Sequence, residues 1–158
     1  MKYIYVVAII FCIGIIFLLH FLYLFVLSKN TKKWMSEDGK VLNSKLDITK
    51  NLGKGLRTFY KAEVKYQYII KGKEYFSERI YYGDYIGKNR SSGPKSIVEK
   101  YSKGEKIPVY YNPKHPSSSV LETGINSVIY RELFIGILFL ALSVFMVMKE
   151  SFFLSVFE

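Results

Sequence analysis

Any chemistry in this chain has to come from very few side chains. There are two histidines, His20 and His115, and one cysteine, Cys12. His115 lies in the run Tyr110-Tyr111-Asn112-Pro113-Lys114-His115-Pro116, where an imidazole outside the apolar stretches could act as a general base. A general base needs a positioned partner within hydrogen-bond reach, and no Ser/His/Asp order forms around this one. A structural account suffices. Tyrosines at a strand end fill a core rim, Asn-Pro starts a turn, and the second proline stiffens its exit. Cys12 sits inside an apolar run, so neither an intrachain disulfide nor a thiolate metal cluster is available. Gly83 to Gly93 lacks the Lys-Ser/Thr pair of a phosphate-cradling loop and the long helix that should follow one. Asp84 and Glu99 form no recognisable carboxylate pair. The chain is therefore expected not to be an enzyme and to need no cofactor or metal.

Charge is the next resource. Residues 28–132 carry 21 of the 23 basic residues and 11 of the 13 acids. A basic surface with many tyrosines could contact the phosphates and bases of a nucleic acid. Here, however, the tyrosines alternate with charges along strands, which turns many of them inward. Lysines on the outer face of a sheet beside a membrane are better suited to anionic lipid headgroups or an acidic protein. Lys29, Lys32, Lys33 and Arg131 are the expected headgroup contacts. The polar loop carrying Asp84, Tyr85, Lys88, Asn89 and Arg90, together with exposed strand edges, is the expected contact for a protein partner. Nucleic acid is not an expected partner.

These residues are positioned by two apolar segments and what lies between them. Ile4 to Leu27 contains no formal charge, and 18 of its 24 residues are Leu, Ile, Phe or Val. As a helix it would run about 36 Å, enough to cross a hydrocarbon core of about 30 Å. Ser28-Lys29-Asn30 follows it as a stop and not as a signal-peptide cleavage site. His20 within it is expected to meet a polar neighbour across a helix interface, or to lie near one end, and not to serve a proton relay. Leu133 to Met148 is uncharged but only 16 residues long. It must extend backward through Val128-Ile129-Tyr130 or forward into Phe152-Phe153-Leu154. Lys29, Lys32, Lys33 and Arg131 flank one side of such a pair, and Lys2 and Lys149 the other. The positive-inside rule then places the intervening domain in the cytoplasm of a two-pass protein of the bacterial inner or plasma membrane. The abundance of Lys, Ile, Asn and Tyr points to an AT-rich bacterial source.

Between the spans the pattern switches to alternation. The stretch from Gly39 toward Thr49 is expected to be a strand. Tyr60 to Ile70 is the clearest one, with Tyr60, Ala62, Val64, Tyr66, Tyr68 and Ile70 on one face. Lys71-Gly72-Lys73 connects it to a second arm from Glu74 to Tyr82, a hairpin. Pro94 to Tyr101 is expected to be a short helix, with Gly104 after its end. Lys106 to Tyr111 and Ser119 to Glu122 complete about five strands. The expected architecture is an α+β membrane protein with a small, mainly antiparallel β domain; open sheet and closed barrel both fit the pattern. The expected boundaries are 1–28 and 125–150 for the spanning helices, 29–124 for the β domain, and 151–158 for a short tail.

The segments Gly39-Lys40-Val41 with Ser44, Val64-Lys65-Tyr66-Gln67-Tyr68, Gly72-Lys73-Glu74-Tyr75 with Ser77, and Tyr101-Ser102-Lys103-Gly104 form a consistent series. With Val109-Tyr110-Tyr111-Asn112-Pro113, His115-Pro116 and Val120-Leu121-Glu122-Thr123-Gly124, the chain resembles a bacterial domain-of-unknown-function family, number 3592. The resemblance implies a small β domain beside or between membrane helices and no shared reaction. It is compatible with a membrane-anchored interaction module that binds a protein partner. Two alternatives stand beside it: an immunity protein neutralising a toxin that acts at the membrane, and a membrane enzyme or enzyme subunit.

Overall fold

A computed structural model describes residues 2–51, 57–84 and 91–156. In chain order the elements are α1 (Lys2–Thr31), β1 (Met35–Asn51), β2 (Arg57–Ile70), β3 (Lys73–Ser77), α2 (Ser92–Lys100), β4 (Lys106–Asn112), β5 (His115–Val120) and α3 (Tyr130–Val156). They form two compact units. Met1–Val26 with Ser127–Glu158 is helical, and Leu27–Asn126 contains the sheet.

In the helical unit α1 and α3 run antiparallel. Phe17 stacks on Phe139 at 6.1 Å, and Phe21 meets Tyr130 at 6.0 Å. Ile4–Thr31 and Ser127–Lys149 are each long and apolar enough to cross a membrane. Of their most apolar windows only 11% and 17% is buried, unlike the core helix of a soluble protein. The second apolar helix extends in both directions, backward through a 3₁₀ turn at Ser127–Ile129 and forward through residues 151–156. His20 does meet a polar neighbour across the helix interface. Its Nδ1 lies 3.6 Å from Oε2 of Glu132, whose side chain is buried and also holds Arg131 at 2.9 Å.

The sheet unit holds five antiparallel strands in the order β3-β2-β1-β4-β5. The sheet is open, so barrel closure is not reached. Long central β1 pairs with β4 from Met35 to Lys40 and with β2 from Gly39 to Asn51, with a bulge between Val41 and Asn43. Alternation along β2 puts Val64, Tyr66, Tyr68 and Ile70 in the core, as expected, and Val41, Val109 and Val120 are fully buried as well. Lys71 and Gly72 both have positive φ, which the tight primed turn between β2 and β3 requires. Helix α2 lies along β1 and β2, where Ser44 Oγ donates to the Val98 carbonyl at 3.4 Å.

Several strand boundaries differ from expectation, most by a few residues. β1 begins at Met35 and not at Gly39, because its first residues pair with β4. The second hairpin arm stops at Ser77: beyond it, the Ile80 carbonyl accepts from the N–H groups of Leu121 and Glu122 instead of joining β2. The final strand runs from His115 to Val120, ahead of the expected Ser119 to Glu122. The Asn112 side chain accepts from the Lys114 N–H at 3.0 Å and closes the turn early. His115 is thereby paired with Asn112, and Pro116 lies within β5 and not in a loop exit.

Candidate binding groove

The core of the sheet unit is built on tyrosine hydroxyls that span its concave side. Tyr66 on β2 donates to the Arg79 carbonyl at 2.8 Å and lies 3.1 Å from Ser119 Oγ on β5. Tyr68 donates to the Pro116 carbonyl, also on β5. In sheet order β1 and β4 separate β2 from β5, so these bonds curl the sheet and bring its outer strands β3 and β5 face to face without pairing them.

Burial raises the Tyr66 hydroxyl to about 12, against a smaller lowering by its hydrogen bond to Ser119. The unfolded chain therefore sheds this proton near pH 10 while the folded chain keeps it. Stability that is complete below pH 10 falls as pH rises toward 12, by about 1.4 kcal/mol per unit for this group. Urea midpoints of the full chain in detergent should decline between pH 10 and 12. In Tyr66→Phe the decline should be shallower, after a loss of about 1 kcal/mol at neutral pH from the unpaired Arg79 carbonyl. Identical slopes in both proteins would contradict the burial of this hydroxyl.

At the end of the sheet that follows α1, the facing edges leave a groove of about 490 Å³, a volume typical of small-ligand sites. Three registers create it. Met35 opposes Tyr111, Ile70 opposes Lys73, and Asn112 opposes His115, so the first residue of β1 and both hairpin turns share one end. Tyr75 and Tyr111 line the groove, and buried Tyr68 stacks between them, 5.6 Å from Tyr75 and 6.5 Å from Tyr111. The Tyr111 hydroxyl reaches the Met35 sulfur at 3.6 Å. Lys71 and Lys73 stand on the rim, with Lys73 Nζ 5.5 Å from the Tyr75 ring centre, and Pro116 forms part of the opposite wall.

The outer face of the same hairpin carries two exposed apolar side chains beside Gln67 and Glu74. Phe76 on β3 and Ile69 on β2 are 53% and 50% exposed. Ile69 opposes Glu74, which makes Phe76 its diagonal neighbour on that face. Exposed Phe76 and Ile69 side by side on that face are suited to docking by another chain.

The residues singled out from sequence do not converge on this groove. Lys29, in the last turn of α1, and Lys32 and Lys33, in the turn after it, are exposed. The stem of Lys32 passes so near Gly124 that a Cβ there would sit 2.9 Å from Cε. Arg131, in the first turn of α3, pairs with Glu132. Asp84 is committed to the backbone, accepting from the N–H groups of Ile80 and Tyr81. Burial raises its pKa above the usual carboxylate value, and those two bonds oppose the rise. Tyr85, Lys88, Asn89 and Arg90 lie outside the described residues. Among the described residues no group of three or more His, Cys, Asp or Glu could hold a metal ion. The sequence assigns Tyr111 to a core rim and gives Met35 and Tyr75 no site role, because only strand register brings the three together. The signal available was the count of tyrosines at inward positions next to hairpin turns.

No curated protein matches the chain. The profile of a domain of unknown function, DUF3592, matches residues 37–126, from β1 through β5, and the chain belongs to that family.

Proposed function

We propose that this chain is a non-catalytic interaction module, held in a bacterial plasma membrane by α1 and α3, whose sheet unit binds a protein partner at the bilayer surface. The observation that carries this reading is the exposed apolar pair Phe76 and Ile69 on the outer face of the β2–β3 hairpin. The apolar, largely unburied surfaces of the two long helices support the anchoring. A photo-reactive phenylalanine analogue at Phe76 should yield one discrete adduct in cells, and Ile69→Asp should abolish it. The same analogue at Lys45, on the outer face of central β1, should yield none. Equal adducts at both positions, or none at Phe76 in a folded, membrane-bound chain, would sink the proposal. Immunity to a membrane-acting toxin is the case in which that toxin is the partner; it predicts protection of cells that co-express both.

The sheet unit belongs on the cytoplasmic side under this proposal, since Lys29, Lys32, Lys33 and Arg131 flank that side of the helices. In a Cys12→Ser background, a cysteine replacing exposed Ser117 should resist an impermeant thiol reagent in intact cells and react after lysis. Labelling before lysis would place the unit outside.

A further inference from the structure

We propose that the groove between the outer strands holds the headgroup of an anionic phospholipid. The proposal rests on reading α1 as a membrane span, and four features of the sheet unit support it.

The first is charge. Lys71 and Lys73 stand on the rim, and no acidic side chain is among the lining residues. Exposed Lys114 occupies the neighbouring turn between β4 and β5. The second is chemistry. A phosphodiester needs donors and a glycerol needs a surface to lie against; the lysine ammonium groups meet the first need, and Tyr75, Tyr111 and Met35 meet the second.

The third is position. Met35 is four residues beyond Thr31, the last residue of α1, a contour of at most about 14 Å. The apolar part of α1, Ile4–Thr31, has 28 residues and is about 42 Å long, close to the thickness of a bilayer with its headgroups. Its last turn therefore emerges at the headgroup layer, where lipid phosphate is abundant, and only Lys32 to Trp34 separate it in the chain from Met35. Lys29, Lys32 and Lys33 attract the same surface by charge alone. The fourth feature weighs against an acidic peptide strand as the occupant. Pro116 on the β5 side has no N–H, so a strand inserted between the edges would lack a ladder donor there.

The test uses the full chain, labelled at its methionine methyl groups, in nanodiscs of phosphatidylcholine with increasing phosphatidylglycerol. The Met35 methyl resonance, assigned through Met35→Leu, should shift and saturate with phosphatidylglycerol and stay still in phosphatidylcholine alone. Lys71→Gln with Lys73→Gln should raise the half-saturating fraction on the order of tenfold, given the usual attraction of surface lysines to anionic lipid. Lys45→Gln with Lys65→Gln, on the opposite face of the sheet, removes as much charge but should leave the Met35 response within about twofold of the original. An unchanged response in the Lys71/Lys73 variant, or equal loss in the Lys45/Lys65 variant, would overturn the proposal. So would a Met35 shift produced by soluble hexaglutamate and not by lipid, which would assign the groove to an acidic protein segment. Failure of the chain to enter nanodiscs at all would instead remove the membrane reading beneath it.

Discussion

Replacing Gly39 with valine is expected to destabilise the sheet unit by about 3 kcal/mol or more, a large share of the 5–15 kcal/mol that holds a domain of this size. Gly39 opposes Tyr68 on β2 and Ile107 on β4, so it lies where three strands meet. A Cβ there would overlap the Cγ2 methyl of Val109 and come within 2.8 Å of the Gln67 carbonyl oxygen. The methyl belongs to a fully buried core residue, and the carbonyl to the backbone of a paired strand. Neither can retreat without opening the β1–β2 or the β1–β4 ladder. Glycine ordinarily weakens a strand, so its place at the centre of a sheet marks a close approach that a side chain would block. Gly39→Ala, with one methyl, should already cost about 1–3 kcal/mol. Ser36→Ala, on an exposed position of the same strand, should stay within about 0.5 kcal/mol. Denaturant unfolding of the full chain in mild detergent, followed by Trp34 fluorescence, measures all three. A Gly39→Ala protein as stable as the original would mean that the packing of β1 against Val109 is wrong.

The same crowding explains which parts of the fold were legible in the sequence. Tyr60 to Ile70 could be read directly, since alternation is recorded residue by residue and needs no partner. The turn at Lys71-Gly72 and the Asn112-Pro113 turn announce themselves through local backbone preferences. The start of β1 could not be read this way. Met35-Ser36-Glu37-Asp38 is polar and carries no β-favouring alternation, and it becomes strand by pairing with residues more than sixty positions away. β5 is similar: His115-Pro116-Ser117-Ser118-Ser119 has weak strand propensity, and tertiary partners hold it extended through the tyrosine hydroxyls. The groove is a consequence of those two unreadable strands, which is why inspection of charge runs and loops passed over it. Glu132 adjoins Arg131 in the sequence, but its contact with His20 depends on how two helices cross.

That crossing rests on two glycines, and enlarging either is expected to separate the helices. A Cβ on Gly14 would lie 2.9 Å from Cγ of Leu140 and 3.2 Å from the Gly136 carbonyl oxygen. A Cβ on Gly136 would meet Leu18 Cδ2 at 2.8 Å and the Gly14 carbonyl oxygen at 3.2 Å. Each glycine thus receives a leucine from the opposite helix, and the two backbones approach each other at this level. In lipid, hydrocarbon tails are as apolar as leucine, so association depends on such close packing and on polar contacts, with little hydrophobic drive. Alanine should be tolerated in part, because the leucine ends can swing by a few tenths of an ångström. Leucine cannot be accommodated, since the carbonyl oxygen beside it belongs to a helix backbone. Phe17 and Phe139 stack nearby at 6.1 Å, which provides the readout. With Cys12→Ser, Phe17→Cys and Phe139→Cys in one chain, a short bifunctional methanethiosulfonate should link α1 to α3 and shift the mobility of a chain cleaved between them. Gly14→Leu or Gly136→Leu should reduce that link at least about fivefold, equivalent to about 1 kcal/mol of lost packing. His20→Ala should weaken it less, because the contact with Glu132 is 3.6 Å and the glycine crossing remains. If linking is as efficient with leucine at both glycines, the helices do not meet where Gly14 faces Gly136. If His20→Ala alone abolishes it, the polar contact and not the close packing joins the pair.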